Sequence, residues 1–135
     1  MSIMTFITSG VFILFSGLVI KKKDSPLYDT RWELKKIHYK DSVQEVNTRA
    51  FIRFDAEKKR AGGNGSCNTF GGSLLVLNDA ISISQIFSTK MYCEGVQQME
   101  DSFFKQLGKV NRYEIKDKAL TLFHDKEIVL VFESE

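Results

Sequence analysis

Apolar residues recur along this chain in three different rhythms. From Ile3 to Ile20 they run almost unbroken, through Phe6, Ile7, Val11, Phe12, Ile13, Leu14, Phe15, Leu18, Val19 and Ile20, with no charged side chain among them. As a helix this stretch rises about 27 Å, near the lower limit for a bilayer core of about 30 Å. Beyond Asp24 the rhythm shortens to alternation. Arg31 to Tyr39 sets Trp32, Leu34 and Ile37 among charged residues, and Phe51-Ile52-Arg53-Phe54 follows as a second strand before the charged turn Asp55 to Arg60. Ser73 to Leu77 and Ala80 to Phe87 predict a hairpin across Asn78-Asp79. Its second arm alternates cleanly through Ser84 and then slips, the mark of an irregularity ahead of Ser88. The third rhythm is helical: Met99, Phe103, Phe104 and Leu107 recur over Gln97 to Leu107, with Glu100 and Asp101 early and Gly108 as the stop. Three strands close the chain, Arg112 to Ile115, Leu120 to Phe123 and Ile128 to Phe132, parted by turns at Asp117-Lys118 and Asp125-Lys126.

Many strands around one helix predict an α+β domain, an antiparallel curled sheet or partial β-barrel with the helix packed against it. The chain divides into residues 1–23, a membrane anchor or uncleaved signal segment, 24–29, a linker carrying the lone proline Pro26, and a domain over 30–135. Ala61 to Gly72 holds five of the nine glycines and reads as a tight bend or a close approach of backbone to another segment.

Charge sharpens this division. All 19 Lys and Arg and all 17 Asp and Glu fall between Lys21 and Glu135, and the net charge of +2 comes from the block Lys21, Lys22, Lys23 beside the apolar leader. The remaining domain is nearly neutral, which excludes a basic footprint for nucleic acid. Apolar residues make up 43% of the chain, so disorder is excluded as well. The leader lacks a basic n-region and a small-x-small cleavage site, and no cysteine precedes Cys67 to accept a lipid, so an anchor is the expectation and a cleaved signal the competitor. Lys21 to Lys23 lie after the span, where the positive-inside rule holds them in the cytoplasm; the alternative seats them on anionic headgroups of the outer face.

Catalytic and cofactor chemistry has little to stand on. His38 and His124 are the only histidines and have no metal-ligand spacing to each other or to the two cysteines. Gly62-Gly63-Asn64-Gly65 lacks the Gly-Lys-Ser/Thr ending of a phosphate loop. The expectation is a chain without catalytic, metal or cofactor residues. A Cys–His nucleophilic pair requires a spatial contact that spacing alone does not supply.

The most specific stretches are Gly65-Ser66-Cys67-Asn68-Thr69-Phe70-Gly71-Gly72 and Ser88-Thr89-Lys90-Met91-Tyr92-Cys93. With Thr30-x-Trp32-x-Leu34 upstream, Glu100-x-x-Phe103-x-x-x-Leu107 downstream and the closing Leu120-x-Leu122 and Leu130-x-Phe132, the chain resembles the META domain, the HslJ-like family of bacterial envelope proteins, over about residues 28 to 133. The motif residues carried by the resemblance are Trp32, Gly65, Cys67, Asn68, Phe70, Gly71, Thr89, Lys90, Met91, Cys93 and Glu100. Ser66 stands where glycine is common in the family, and Lys90 where arginine is common.

The resemblance implies a non-enzymatic, stress-related or envelope-maintenance binding module, tethered through residues 3–20 with its domain on the periplasmic or extracellular side. It implies a lipid or an envelope protein as partner. A second reading is a pilotin-like carrier that holds a lipid tail or apolar peptide in a groove lined by the strands and the Phe103/Phe104 helix. The same resemblance makes Cys67 and Cys93 a candidate disulfide, closing a loop of about 27 residues and worth roughly 3.5 kcal/mol in the chain-entropy model. The alternative is two buried thiols packed as small apolar side chains. Asn68 is expected to turn or cap the backbone, Trp32 to sit in the core, and Thr89 and Lys90 to lie by a groove or in solvent.

Overall fold

A computed structural model describes residues 23–135. The strands are β1 (Trp32–His38), β2 (Val43–Glu45), β3 (Phe51–Asp55), β4 (Arg60–Asn64), β5 (Thr69–Leu77), β6 (Ala80–Ser88), β7 (Arg112–Lys116), β8 (Ala119–His124) and β9 (Glu127–Ser134); helix α1 (Gln97–Leu107) lies between β6 and β7. Every pairing is antiparallel, and the order β1-β3-β4-β5-β6-β7-β8-β9 returns to β1 through a β1–β9 ladder, so the sheet curls into a ring. Short β2 lies on the C-terminal half of β1. The molecule is thus richer in sheet than the α+β expectation, with its single helix kept.

The ring has one weak seam. β6 and β7 share only the pair Ala80↔Arg112, while β5 and β6 pair along seven positions. The helix inserted between these two strands in sequence fills the interior. Met99, Phe103 and Leu107 are buried on its inner face, and the Phe103 ring lies 5.5 Å from Phe70 and 6.1 Å from Phe132, both edge-on. Trp32, Leu34, Ile37, Ile52, Phe54, Leu120, Leu122, Leu130 and Phe132 complete the core.

Two breaks in alternation have a physical origin in bulges. On β1, Leu34 pairs with Phe132 but Lys36 pairs with Val131, so Lys35 is an extra residue and the inward set shifts from Trp32 and Leu34 to Ile37. On β6, the register jumps between Gly71↔Phe87 and Ser73↔Ser84, and Gln85 takes φ 52°. That is the irregularity expected ahead of Ser88. The expected turns at Asn78, Asp117 and Asp125 each place that residue at φ near 55°, a conformation that Asn and Asp tolerate and that matches strand twist in a tight hairpin.

Two stretches take definite form in the structure. The linker 24–29 lies against the domain: Leu27 is buried, its carbonyl accepts the Trp32 indole N–H at 3.0 Å, and Ser25 N–H donates to the Asp117 carbonyl at 2.8 Å. In the glycine-rich stretch the second of the two readings holds, a close approach of backbone: it contains two paired strands, with Gly62↔Gly71 and Ala61↔Gly72 in register. A Cβ at Gly63 would collide with the Phe51 carbonyl group on β3, and one at Gly72 would come within 3.0 Å of the Ser84 oxygen. Glycine therefore lets the ring coil tightly here, and turn formation is not its role.

Gly63→Ala should lower stability by about 3 kcal/mol or more, because backbone must move, whereas Gly62→Ala, 3.3 Å from the Phe70 oxygen, should stay within about 1 kcal/mol of the parent. Urea unfolding followed by tryptophan fluorescence of the buried Trp32 measures both; equal losses would show that the β3–β4 approach is not the constraint.

Candidate functional site

The β4–β5 connection, Gly65 to Asn68, wraps around one side chain of the helix. Glu100 is 0% exposed. Its Oε2 accepts the backbone N–H of Cys67 at 2.8 Å and of Asn68 at 2.7 Å, and its Oε1 accepts the Asn68 side-chain N–H at 2.6 Å. Charge-assisted bonds of this kind are short and about twice as strong as neutral ones, which is what keeps a carboxylate in the interior. Gly65 leaves the space this needs: a Cβ there would lie 2.7 Å from Glu100 Cγ and from Phe104 Cζ.

Asn68, itself buried, passes the constraint on to the loop between β6 and the helix. Its Oδ1 accepts from Thr89 Oγ1 and from Met91 N, both at 2.8 Å, and its Nδ2 donates to the Met91 carbonyl at 3.0 Å. One amide thereby pairs with the Met91 backbone as a strand partner would, and holds Thr89 by its hydroxyl. Cys67 and Cys93 are joined by a disulfide that closes the same loop from the other side, and the Cys93 carbonyl accepts the N–H groups of Val96 and Gln97 at the helix start. The loop backbone is pinned at three places while Lys90, Met91 and Tyr92 face solvent, Tyr92 at 79% exposure. Beside it lies a recess of about 450 Å³ lined by Ser88, Thr89, Lys90, Met91, Tyr92 and Asp101 among others.

Six of the motif residues gather in one place, and the others have separate places. Gly65, Cys67, Asn68, Thr89, Cys93 and Glu100 form the clamp; Phe70 and Trp32 lie in the core; Gly71 lies under the Phe87 ring on the outer face; Lys90 and Met91 are displayed. Asn68 caps backbone as expected. The burial of Glu100 is what sequence reasoning missed. It lies three residues before Phe103 and seven before Leu107, on the apolar face of the helix, and a lone carboxylate on that face was the available signal.

Both thiols are consumed by the disulfide, and among the described residues there is no free cysteine and no group of three or more His, Cys, Asp or Glu suited to a metal. His38 and His124 come together elsewhere, lining a recess of about 820 Å³ with Lys40, Lys109 and Lys126. Burial, aided by Lys36, holds the His38 imidazole below its ordinary value. His124 Nδ1 is 2.8 Å from the Lys109 carbonyl. The expected span over residues 3–20 lies outside the described residues; among the described residues no helix is long and apolar enough to cross a membrane.

Residues 25–135 match the family model of the META domain. The chain belongs to the META domain family. Solved structures that share the fold of this META domain include an NMR structure of a protein from Burkholderia xenovorans, at TM-score 0.68 and 21% identity, covering 81% of this chain and 83% of that one. A second NMR structure aligns at TM-score 0.61 and 20% identity over 79% of this chain and 90% of the other. A crystal structure of a DUF4847 family protein from Bacteroides vulgatus aligns at TM-score 0.56 and 14% identity over 79% and 93%. At these identities the likeness is one of fold. No curated protein matches the chain.

Glu100→Gln should cost about 2–4 kcal/mol, since an amide N–H₂ then faces N–H donors that it cannot accept, and unfolding midpoints with and without reductant should show that cost in both states of the disulfide. Ser66, at φ 107°, holds a conformation that suits glycine and bonds Thr48 through its hydroxyl. Ser66→Gly should therefore be more stable than Ser66→Ala by about 1–2 kcal/mol in the same assay, and parity between them would remove backbone strain from the account.

Proposed function

We infer that this META domain is a non-enzymatic binding module of the cell envelope, tethered by residues 3–20 with the domain on the oxidising side of the membrane. The observation that carries this reading is the disulfide between Cys67 and Cys93, placed where it fixes the displayed loop. Disulfides persist in oxidising compartments and are rare in the cytosol. In this reading Lys21 to Lys23 meet headgroups of the outer face, and the leader drives export.

Binding proceeds through the exterior. The groove that a pilotin-like carrier needs, between the strands and the Phe103/Phe104 helix, is filled: Phe103 is fully buried, and the Phe104 ring packs 4.9 Å from Phe70. A packed interior supports a module that recognises its partner by surface. The loop Thr89 to Tyr92 suits that task, because a backbone already fixed by Asn68 and the disulfide loses little entropy on binding, and exposed Met and Tyr make adaptable and anchoring contacts. An envelope-maintenance role under stress is the family-level extension of this reading.

Thiol labelling of the full chain in intact cells with a membrane-impermeant maleimide tests the placement. The expected result is labelling of Cys67 and Cys93 only after reduction and without permeabilisation. Labelling without reductant, and only after permeabilisation, would put the domain in the cytoplasm and end the envelope reading.

A further inference from the structure

The outer face of β3 to β6 carries a shallow apolar trough of about 560 Å³ between the rings of Phe51 and Phe87. Its floor is backbone, made by the directly opposed pair Gly62↔Gly71. Gly71 is accounted for by the fold, because a Cβ there would lie 2.8 Å from the Phe87 ring. Gly62 is held less strictly: a Cβ there would lie 3.3 Å from the Phe70 oxygen, close to backbone but short of a collision. A glycine inside a strand costs roughly 0.5–1 kcal/mol, and at Gly62 it leaves a bare strip of backbone on the outer face that a partner can approach closely. Phe87 is 58% exposed although it is among the largest apolar side chains.

The rim is cationic. Arg60 sits with its guanidinium 5.8 Å from the Phe87 centroid, Arg31 lies 3.6 Å over the Phe51 ring, and exposed Arg53 lines the trough between them. Asp55 is the one carboxylate in the lining, and its Oδ1 is already taken by the Lys58 N–H at 2.9 Å. Stacking on Phe51 and an ion pair with Glu135 at 3.2 Å hold the Arg31 guanidinium in place, while Arg60 lies at the outer limit of cation–π range from Phe87.

We propose that this trough seats a polypeptide partner through one aromatic side chain laid on the Gly62 backbone, with partner carboxylates beside it meeting Arg53 and Arg60. Strand addition is not available here, because β3, β4, β5 and β6 pair with one another across the trough and leave no free ladder groups. Recognition must come from side chains. An apolar trough bordered by two phenylalanines suits a flat apolar group, the arginines suit acidic flanks, and aromatic anchors of this kind dominate interface energetics. A trough this shallow leaves most of a free small molecule in water, whereas a protein surface covers its own anchor. The proposal rests on the binding-module reading and names the chemistry of the partner.

The test uses the full chain, ¹⁵N-labelled in detergent micelles, titrated with three synthetic peptides: tryptophan flanked by glutamates, the same peptide with alanine for tryptophan, and tryptophan flanked by lysines. The first should shift the amides of Gly62, Gly63, Gly71 and Phe87, and the other two should bind at least about tenfold more weakly. Gly62→Ala, which raises the floor, and Arg53→Gln, at an exposed position, should each weaken the first peptide by about fivefold or more while the rest of the spectrum stays in place. Equal binding of the alanine or lysine peptide would overturn the proposal, as would shifts away from the trough. So would peptide-free shifts at Gly62 and Phe87 that grow with protein concentration, which would make a second copy of the chain the occupant. Failure here leaves the thiol-labelling result to stand or fall by itself.

Discussion

A single buried carboxylate joins the helix to the ring. The sheet is thinnest across β6 and β7, where one residue pair spans the seam, and the helix connecting those strands fills the interior of the ring. Apolar packing of Met99, Phe103 and Leu107 supplies the attraction but tolerates sliding and rotation. Glu100 does not. Its two oxygens meet three donors of the β4–β5 connection, and any other placement of the helix leaves a charge and two backbone N–H groups buried without partners. The interaction therefore selects one helix position, and its energetic weight lies in what every alternative would cost.

The consequence runs outward through Asn68. The same residue that donates to Glu100 bonds the Met91 backbone and the Thr89 hydroxyl, so helix position, connection shape and loop shape are fixed together. The disulfide then holds what hydrogen bonds have already arranged: it joins two segments whose separation is set by Asn68 on one side and by the start of α1 on the other. Glycines make the arrangement sterically possible. Gly65 admits the carboxylate, and Gly63 lets β4 approach the β3 backbone closely enough for the ring to coil.

Much of this was legible where side-chain period and local geometry agree. Trp32 and Leu34, the hairpin through Ser84, the helix over Gln97 to Leu107 and the Asn/Asp turns all carry local signals strong enough to survive tertiary context. β2 was not legible, since three residues of mixed exposure have no period to read. β4 was hidden for a different reason: Arg-Ala-Gly-Gly-Asn looks like a turn, and the contact that demands glycine there comes from Phe51 on a neighbouring strand. The same limit applied to Glu100. Its position on the apolar face was visible, but its meaning lay in donors more than thirty residues away in sequence, and acidic residues early in a helix have a ready explanation in the helix dipole.

Chain direction gives the clamp a spatial meaning. Strand β1 begins, and β9 ends, at the end of the ring where Asp24 and Ser25 bond to the β7–β8 turn; the β3–β4 and β5–β6 turns share that end. The β4–β5 connection, the end of β6 and the start of α1 lie at the other. The described chain therefore enters at one pole, and its pinned loop is displayed at the opposite pole, with the glycine-floored trough on the wall between them. A domain held at its entry pole keeps both surfaces clear of whatever holds it. The bonds of Glu100 and Asn68 and the disulfide lie together at the far end, whereas at the entry pole the bonds of Asp24 and Ser25 and the burial of Leu27 lay the chain against the ring, so the two ends are held by separate sets of contacts.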